Sequence, residues 1–179
     1  MNAGKCIKTP LSEIVIAELK AGDEVFLSGV IYTARDQAHS RMAGMIERGE
    51  DLPFDIDGQV IYYCGPAPSR TGVIGSCGPT TSSRMDLFTP PLLGAGLKGM
   101  IGKGFRSPAV VEEIKRHGAV YFLAPAGAGA YIREKVKSCE IEAFGDLGPE
   151  AVYKLTVEDL PLIVGVDREG RDIYDRLRK

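Results

Sequence analysis

Short apolar runs alternate with segments of helical periodicity along most of the chain. This alternation is typical of layered α/β folds, and not of proteins whose helices and strands form separate blocks. We therefore predict an α/β fold in a single layered domain, residues 1–179, a length in the usual range for one domain. The predicted strands are 24–32, 60–64, 100–101, 120–124, 139–144 and 155–166, and the predicted helices are 36–48, 81–93, 108–117 and 130–136.

The clearest helix boundaries flank residues 108–117. Ser107 is suited to cap backbone amides, Pro108 fits the first helical turn, and Gly118 fits the left-handed closing position. Pro161 lies inside the last apolar stretch, and proline cannot donate to a central sheet ladder. We therefore expect a structural helix at 108–117 and an edge or broken strand around Pro161.

Charge is balanced and dispersed, with 22 basic and 24 acidic residues. No basic stripe favours nucleic-acid binding, and no polybasic cluster favours an anionic membrane surface. The longest apolar stretches, such as 119–130, are too short and too interrupted by Gly and Pro to span a bilayer, and the polar start lacks a signal-peptide core. We expect a cytoplasmic protein. Any anionic ligand would be bound by a few residues brought together locally, and not by an extended basic surface.

The four cysteines, Cys6, Cys64, Cys77 and Cys139, follow neither zinc nor ferredoxin spacing. We expect reduced thiols and no metal site in this chain. The two histidines and the absence of G-x-S-x-G and H-E-x-x-H motifs leave no residues for a hydrolase.

The end of the strand at 24–32 is the first candidate anion site. Thr33 and Asp36 form a capping-box-like pattern at a predicted helix start, and Arg35 lies beside that start. The helix dipole disfavours a cation there, which suggests an anionic ligand for Arg35. His39 lies four residues on, on the same helical face. The alternative is that Arg35 pairs with a surface carboxylate and His39 has no special role.

A run of hydroxyl residues forms the second and richest candidate. Thr80, Thr81, Ser82 and Ser83 precede Arg84, whose planar guanidinium suits a carboxylate. An ordinary Ser/Thr helix cap with a solvated arginine would have the same sequence.

Lys103 is the third candidate, because Gly102 and Gly104 on either side allow a close approach of the backbone to a ligand. A plain surface turn is the alternative. Two weaker phosphate-binding patterns each lack a required glycine: Ile132 replaces the third glycine of a dinucleotide motif, and Leu97 replaces the first glycine of a P-loop.

Taken in order, the strings SGVIYTARDQAH, YYCGPAP, GPTTSSRMD, GMIGKG and YFLAPAGAGA resemble the class I fumarase and L-tartrate dehydratase beta family. The resemblance covers nearly the whole chain and extends to the late segment DLGPEAVYKLTVEDLPLIVGVD. It implies a swivelling β/β/α domain, equivalent to the C-terminal domain of single-chain class I fumarases. It also implies a partner alpha subunit that holds a [4Fe-4S] cluster through its own cysteines, in a hetero-oligomer.

The resemblance also implies roles for particular residues. Arg35 and Arg84 match the carboxylate-binding arginines, and Lys103 matches the active-site lysine. Thr80 matches the residue proposed as catalytic base, although a threonine hydroxyl needs a charged neighbour to act as one. Thr81 would add a substrate contact, and His39 would orient groups or transfer a proton.

The implied reaction is the reversible hydration of a small dicarboxylate, with fumarate and (S)-malate preferred. L-Tartrate, dehydrated to oxaloacetate, remains an alternative because it differs by one hydroxyl. A non-catalytic anion-binding module of the same fold also stays open, as does a homodimer of the isolated chain.

Overall fold

The computed structural model of the chain describes residues 4–67 and 74–176. Its strands are β1 Lys5–Lys8, β2 Glu24–Thr33, β3 Val60–Tyr62, β4 Gly99–Gly102, β5 Val120–Leu123, β6 Val136–Ala143 and β7 Val152–Val166. Its α-helices are α1 Glu13–Glu18, α2 Asp36–Glu47, α3 Thr89–Gly94, α4 Pro108–His117 and α5 Gly129–Lys135. Short 3-10 segments cover Ser82–Met85, Gly145–Glu150 and Ile173–Arg176. No helix in these ranges is both long and apolar enough to cross a membrane.

Five of the seven strands close into a ring. Strands β2, β3, β4 and β5 are successive parallel neighbours. The long strand β7 then pairs antiparallel with both β5 and β2, which closes the ring. Outside it, β1 pairs with β2 and β6 pairs with β7. The predicted α/β class is therefore confirmed, and the closed ring leaves few unpaired edges.

Alternate residues of the ring strands belong to two apolar cores. In the β3 segment, Val60 and Tyr62 lie in a first core to which every ring strand contributes, while Ile61 and Tyr63 lie in a second. This division follows from the period of two along a strand. The second core also takes buried side chains from the helices α2, α3 and α4, among them Met42, Leu92 and Ile114. The three helices therefore pack against one outer side of the ring.

The helix at 108–117 is confirmed with its boundaries. Ser107 Oγ accepts a hydrogen bond from the Val110 amide, and Gly118 adopts a left-handed φ of 58°. The helix predicted at 81–93 is wrong, because the segment forms a 3-10 turn, Ser82–Met85, and then α3. Proline lacks an amide hydrogen, so the pair at 90 and 91 is tolerated only in a first turn, where α3 begins anew.

Two other local predictions need correction. Of the two alternatives predicted around Pro161, the broken strand is wrong, since β7 runs through Pro161, which pairs with Phe26 of β2, whereas the edge position is confirmed. On its other side, the β6 register ends at Val157 and the β5 register begins at Ile163, so Pro161 falls between the two partners. Thr33 does not cap α2: it is the last residue of β2, and its Oγ1 accepts a hydrogen bond from the Tyr153 amide.

Candidate active site

The candidate residues follow the carboxyl ends of three neighbouring parallel strands. Arg35 follows β2, Thr80 and Arg84 lie in the connection after β3, and Lys103 directly follows β4. Strand ends of this kind are the usual ligand sites of α/β sheets. The structure therefore brings together segments that are far apart in the sequence.

Backbone hydrogen bonds hold the Thr80 and Lys103 segments side by side. The Lys103 amide donates to the Thr80 carbonyl at 3.2 Å, and the Ser82 amide donates to the Lys103 carbonyl at 2.9 Å. Thr81 and Lys103 form an isolated parallel bridge. The Lys103 side chain is half-buried, and it makes no ion pair with any residue of 4–67 or 74–176. It therefore keeps a positive charge for a ligand.

Arg84 links this cluster to the start of α2. Its Nε and Nη2 donate to the two carboxylate oxygens of Asp36, at 3.1 and 2.6 Å. A bidentate pair of this type fixes the plane of the guanidinium. Because the Arg84 side chain is half exposed, the pair adds orientation more than stability. Arg84 consequently lies beside Arg35, the residue that precedes Asp36.

Glu150 occupies the anion position that the sequence predicts at the start of α2. Its Oε1 lies 3.2 Å from Arg35 Nη2, and its Oε2 accepts the Gln37 amide at 3.0 Å. Arg35 stands at the N-cap position without a side-chain cap. Its Nε is buried, with no hydrogen-bond partner among the described residues. The predicted attraction of an anion to this helix start is thus met by the chain's own Glu150 carboxylate, in agreement with the alternative given for Arg35.

His39 lies beneath Arg35, and only 1% of its surface is exposed. Its Nδ1 is 3.0 Å from the Arg35 carbonyl, which can only accept, so Nδ1 carries the hydrogen. Burial lowers the pKa of His39 to about 4, with the nearby Arg106 cation acting in the same direction. A neutral imidazole that donates to Arg35 is placed to hold that residue's backbone.

Sequence reasoning missed the buried cation behind the site, Arg106. Its side chain is fully buried, and its Nε pairs with Asp86 at 2.7 Å. It also donates to Tyr63 Oη at 3.1 Å and to Thr89 Oγ1 at 2.8 Å. Its guanidinium lies 5.2 Å from the centre of the Tyr121 ring. No local pattern marks Arg106 as buried, because the residues that surround it come from distant segments.

The cysteines do not form a set that fits an iron-sulfur cluster. Cys64 and Cys77 are buried, and the hydrogen bond with Cys77, together with burial, raises the pKa of Cys64. Within residues 4–67 and 74–176, no group of three or more His, Cys, Asp or Glu side chains is arranged to hold a metal ion.

Comparison with known proteins gives one family for nearly the whole chain. The family model described as "Fumarase C-terminus" matches residues 6–177. The putative L(+)-tartrate dehydratase subunit beta of Methanocaldococcus jannaschii is 39% identical, over 92% of this chain and 88% of that protein. The aerobic class I fumarate hydratase of Salmonella typhimurium is 35% identical over 96% of this chain. The corresponding Escherichia coli K12 enzyme is 34% identical over the same share. The chain spans only 30% and 32% of the length of these two fumarate hydratases.

Proposed function

The chain belongs to the Fumarase C-terminus family, and from this premise we propose that it is the beta subunit of a hydro-lyase. The reaction is the reversible addition of water to a small dicarboxylate, with fumarate and (S)-malate as the preferred pair. The observation that supports the proposal is that the segments with Arg35, Arg84 and Lys103 follow neighbouring strand ends, where a backbone hydrogen bond holds Thr80 beside Lys103.

The three cations suit a substrate with two carboxylates. Lys103 supplies a charge that no described carboxylate neutralises. Arg84 keeps Nη1 free of the Asp36 pair, and the Arg35 side chain is partly exposed beside Glu150. Removing a proton next to a carboxylate places negative charge on that carboxylate, so fixed cations stabilise the transition state more than the ground state.

Thr80 and Thr81 are proposed to contact the substrate from the same loop. Thr80 lies next to Lys103 through a backbone hydrogen bond, and it is proposed to act on the proton that moves. Its hydroxyl needs a charged neighbour to act as a base, which the proposal assigns to the partner subunit. His39 is proposed to orient Arg35 through the Nδ1 hydrogen bond.

A partner alpha subunit completes the proposal. The name of the M. jannaschii relative contains "subunit beta", and the two fumarate hydratases are about three times as long as this chain. We propose that this partner holds the [4Fe-4S] cluster, since the described residues contain no group of three or more His, Cys, Asp or Glu side chains arranged to hold a metal ion. The proposed assembly is then a cytoplasmic hetero-oligomer. This chain contributes residues 1–179 to it as a single domain.

The face that meets the partner is proposed to carry Leu87 and Phe105. Their exposures are 82% and 59%, which is high for large apolar side chains. Leu87 lies three residues after Arg84, and Phe105 lies two residues after Lys103. Asp86 joins the two segments, because its Oδ2 accepts the Ser107 amide at 2.8 Å. A partner that covers these side chains would reach the catalytic cations.

L-Tartrate is the second candidate substrate, and the identity of 39% over 88% of the tartrate dehydratase subunit favours it. The two substrates are distinguished by co-expressing the chain anaerobically with its alpha subunit and supplying malate and tartrate separately. Turnover of one of them, only with both chains present, supports the proposal and chooses the substrate. A stable, cluster-loaded complex that turns over neither contradicts it and favours a non-catalytic anion-binding module.

Variants of the two arginines test the binding roles. Arg84→Ala or Arg35→Ala should lower kcat/KM by about 10- to 100-fold, since a hydrogen bond to a charged group contributes about 1.5–3 kcal/mol. Arg48→Ala is the matched control, because Arg48 forms a comparable bidentate pair with Glu50 at the other end of α2. Activity within threefold of wild type for both site variants would refute the carboxylate-binding roles.

A further inference from the structure

The hydroxyl of Tyr121 lies between the two loops that carry the candidate catalytic residues. Tyr121 belongs to β5 and is completely buried. Its Oη donates to the Gly104 carbonyl at 2.8 Å and lies 2.8 Å from Ser82 Oγ. Because a carbonyl only accepts, the single phenolic hydrogen goes to Gly104, and the Ser82 hydroxyl must donate to Tyr121. The two hydrogen bonds therefore run in one direction: Ser82 Oγ donates to Tyr121 Oη, and Tyr121 Oη donates to the Gly104 carbonyl.

These two contacts fix the loops at positions next to the site. Gly104 follows Lys103, and Ser82 lies two residues from both Thr80 and Arg84. The loops also approach very closely, since a Cβ on Gly102 would stand 2.0 Å from Ser82 Oγ. Only a glycine at 102 leaves room for the serine hydroxyl that meets Tyr121.

The surroundings of Tyr121 keep its hydroxyl neutral and in place. Burial raises the pKa of Tyr121, so the hydrogen that Gly104 accepts is retained. The Arg106 guanidinium lies 5.2 Å from the ring centre, at a distance typical of a cation–π contact. Arg106 is itself held by Asp86, in the loop of Arg84.

We propose that Tyr121 is a positioning residue that sets the spacing between Lys103 on one loop and Thr80 and Arg84 on the other. The inference rests on the proposed hydro-lyase function and deepens it. Tyr121 acts through Gly104 and Ser82 and does not contact the substrate. The hydroxyl adds to the two backbone hydrogen bonds between these loops, and a misplacement of about 1 Å can reduce a reaction rate about 100-fold, so we expect its loss to affect turnover.

Tyr121→Phe in the alpha–beta complex tests the role. The variant removes only the hydroxyl, and it leaves Gly104 and Ser82 without their shared partner. We expect kcat to fall at least 10-fold while KM stays within threefold, because binding needs the charges and turnover needs their alignment. Amide hydrogen exchange should accelerate in peptides covering 78–88 and 99–107, a readout that does not depend on turnover.

Tyr153→Phe is the matched control. Tyr153 also donates its hydroxyl to a glycine carbonyl, that of Gly148 at 3.0 Å. Gly148 keeps a second donor, the Ala151 amide, so the loop should hold without the phenol. We expect a smaller loss of thermal stability in Tyr153→Phe than in Tyr121→Phe, with kcat within twofold of wild type for Tyr153→Phe. If Tyr121→Phe does not fold, Ser82→Ala removes the donor to Tyr121, and kcat should fall at least threefold.

The outcomes separate the inference from the proposed function. A wild-type complex that turns over no dicarboxylate contradicts the proposed function, and unchanged amide exchange in Tyr121→Phe then contradicts the loop linkage as well. An active wild type with kcat unchanged in Tyr121→Phe overturns the inference alone, whatever the exchange rates. An equal loss of kcat in Tyr121→Phe and Tyr153→Phe also overturns it, since the effect would then be general destabilisation.

Discussion

His39 should make the stability of the folded chain depend on pH. The imidazole is buried beneath Arg35, in edge contact with the Tyr63 ring, whose centre is 5.1 Å away. Burial and the Arg106 cation disfavour the charged form, whereas the Arg35 carbonyl and Asp36 favour it. The net result is a pKa of about 4, against 6.5 for an ordinary histidine.

The sign follows from this lowered pKa. Above pH 6.5 the imidazole is neutral in both folded and unfolded chains, and the stabilisation is fully present. As the pH falls below 6.5, the unfolded chain binds a proton that the folded chain excludes, so stability declines until the pH passes the folded pKa near 4. Integrated from pH 7.5 to pH 5, the loss is about 2 kcal/mol.

Urea unfolding at a series of pH values measures this loss. The comparison is with His39→Asn, which keeps an N–H donor near the Arg35 carbonyl but cannot titrate. Both proteins should carry His117→Gln, since the chain contains only two histidines and His39 then gives the only imidazole NMR signal. The difference between the two curves isolates His39 from the carboxylates, which titrate at lower pH.

Two results would refute the reasoning. The first is a stability difference between the two proteins that does not change from pH 7.5 to pH 5. The second is an NMR titration of the His39 ring in the native protein with a midpoint near 6.5. Either would mean that the burial of the ring does not exclude its proton.

Two further predictions follow from the buried ion pair and the exposed apolar face. Arg106→Met should lower the free energy of unfolding by about 3–5 kcal/mol, because it leaves the Asp86 carboxylate without its buried cation. Urea titrations measure this loss, and a loss below about 1 kcal/mol would contradict this account. Leu87→Glu should weaken binding of the alpha subunit at least 10-fold in calorimetry without changing Tm. Ile14→Glu, at a side chain of 75% exposure on α1, should leave that affinity unchanged, and equal effects of the two substitutions would contradict the proposed face.

The strand-end positions of the candidate residues could be predicted from the sequence. Apolar runs that stop just before Arg35, at Cys64 and just before Lys103 indicate three strand ends, and parallel strands place such ends at one edge of a sheet. The caps of α4 could also be predicted, because Ser107 and Gly118 act through neighbouring backbone atoms. Local chemistry is sufficient for features of this kind.

Features that depend on distant contacts could not be predicted. Nothing near Glu150 in the sequence indicates that it reaches the start of α2, more than a hundred residues earlier. The dipole argument for Arg35 correctly required an anion there but could not distinguish a substrate from a carboxylate of the chain itself. The antiparallel pairing of β7 with β2, which closes the ring, likewise depends on contacts across most of the chain.

The closed ring also has a mechanical consequence. In an open sheet, neighbouring strand ends can splay apart as the sheet twists, and a cleft between them can widen. Here β7 pairs with both β5 and β2, so the ends of β2, β3 and β4 belong to a closed ring. Hydrogen bonds between neighbouring strands fix the circumference of this ring. The ring therefore fixes the relative positions of the strand ends from which the loops with Arg35, Arg84 and Lys103 begin. In a complex with the proposed alpha subunit, we therefore expect substrate entry to require movement of the barrel as a unit against that subunit.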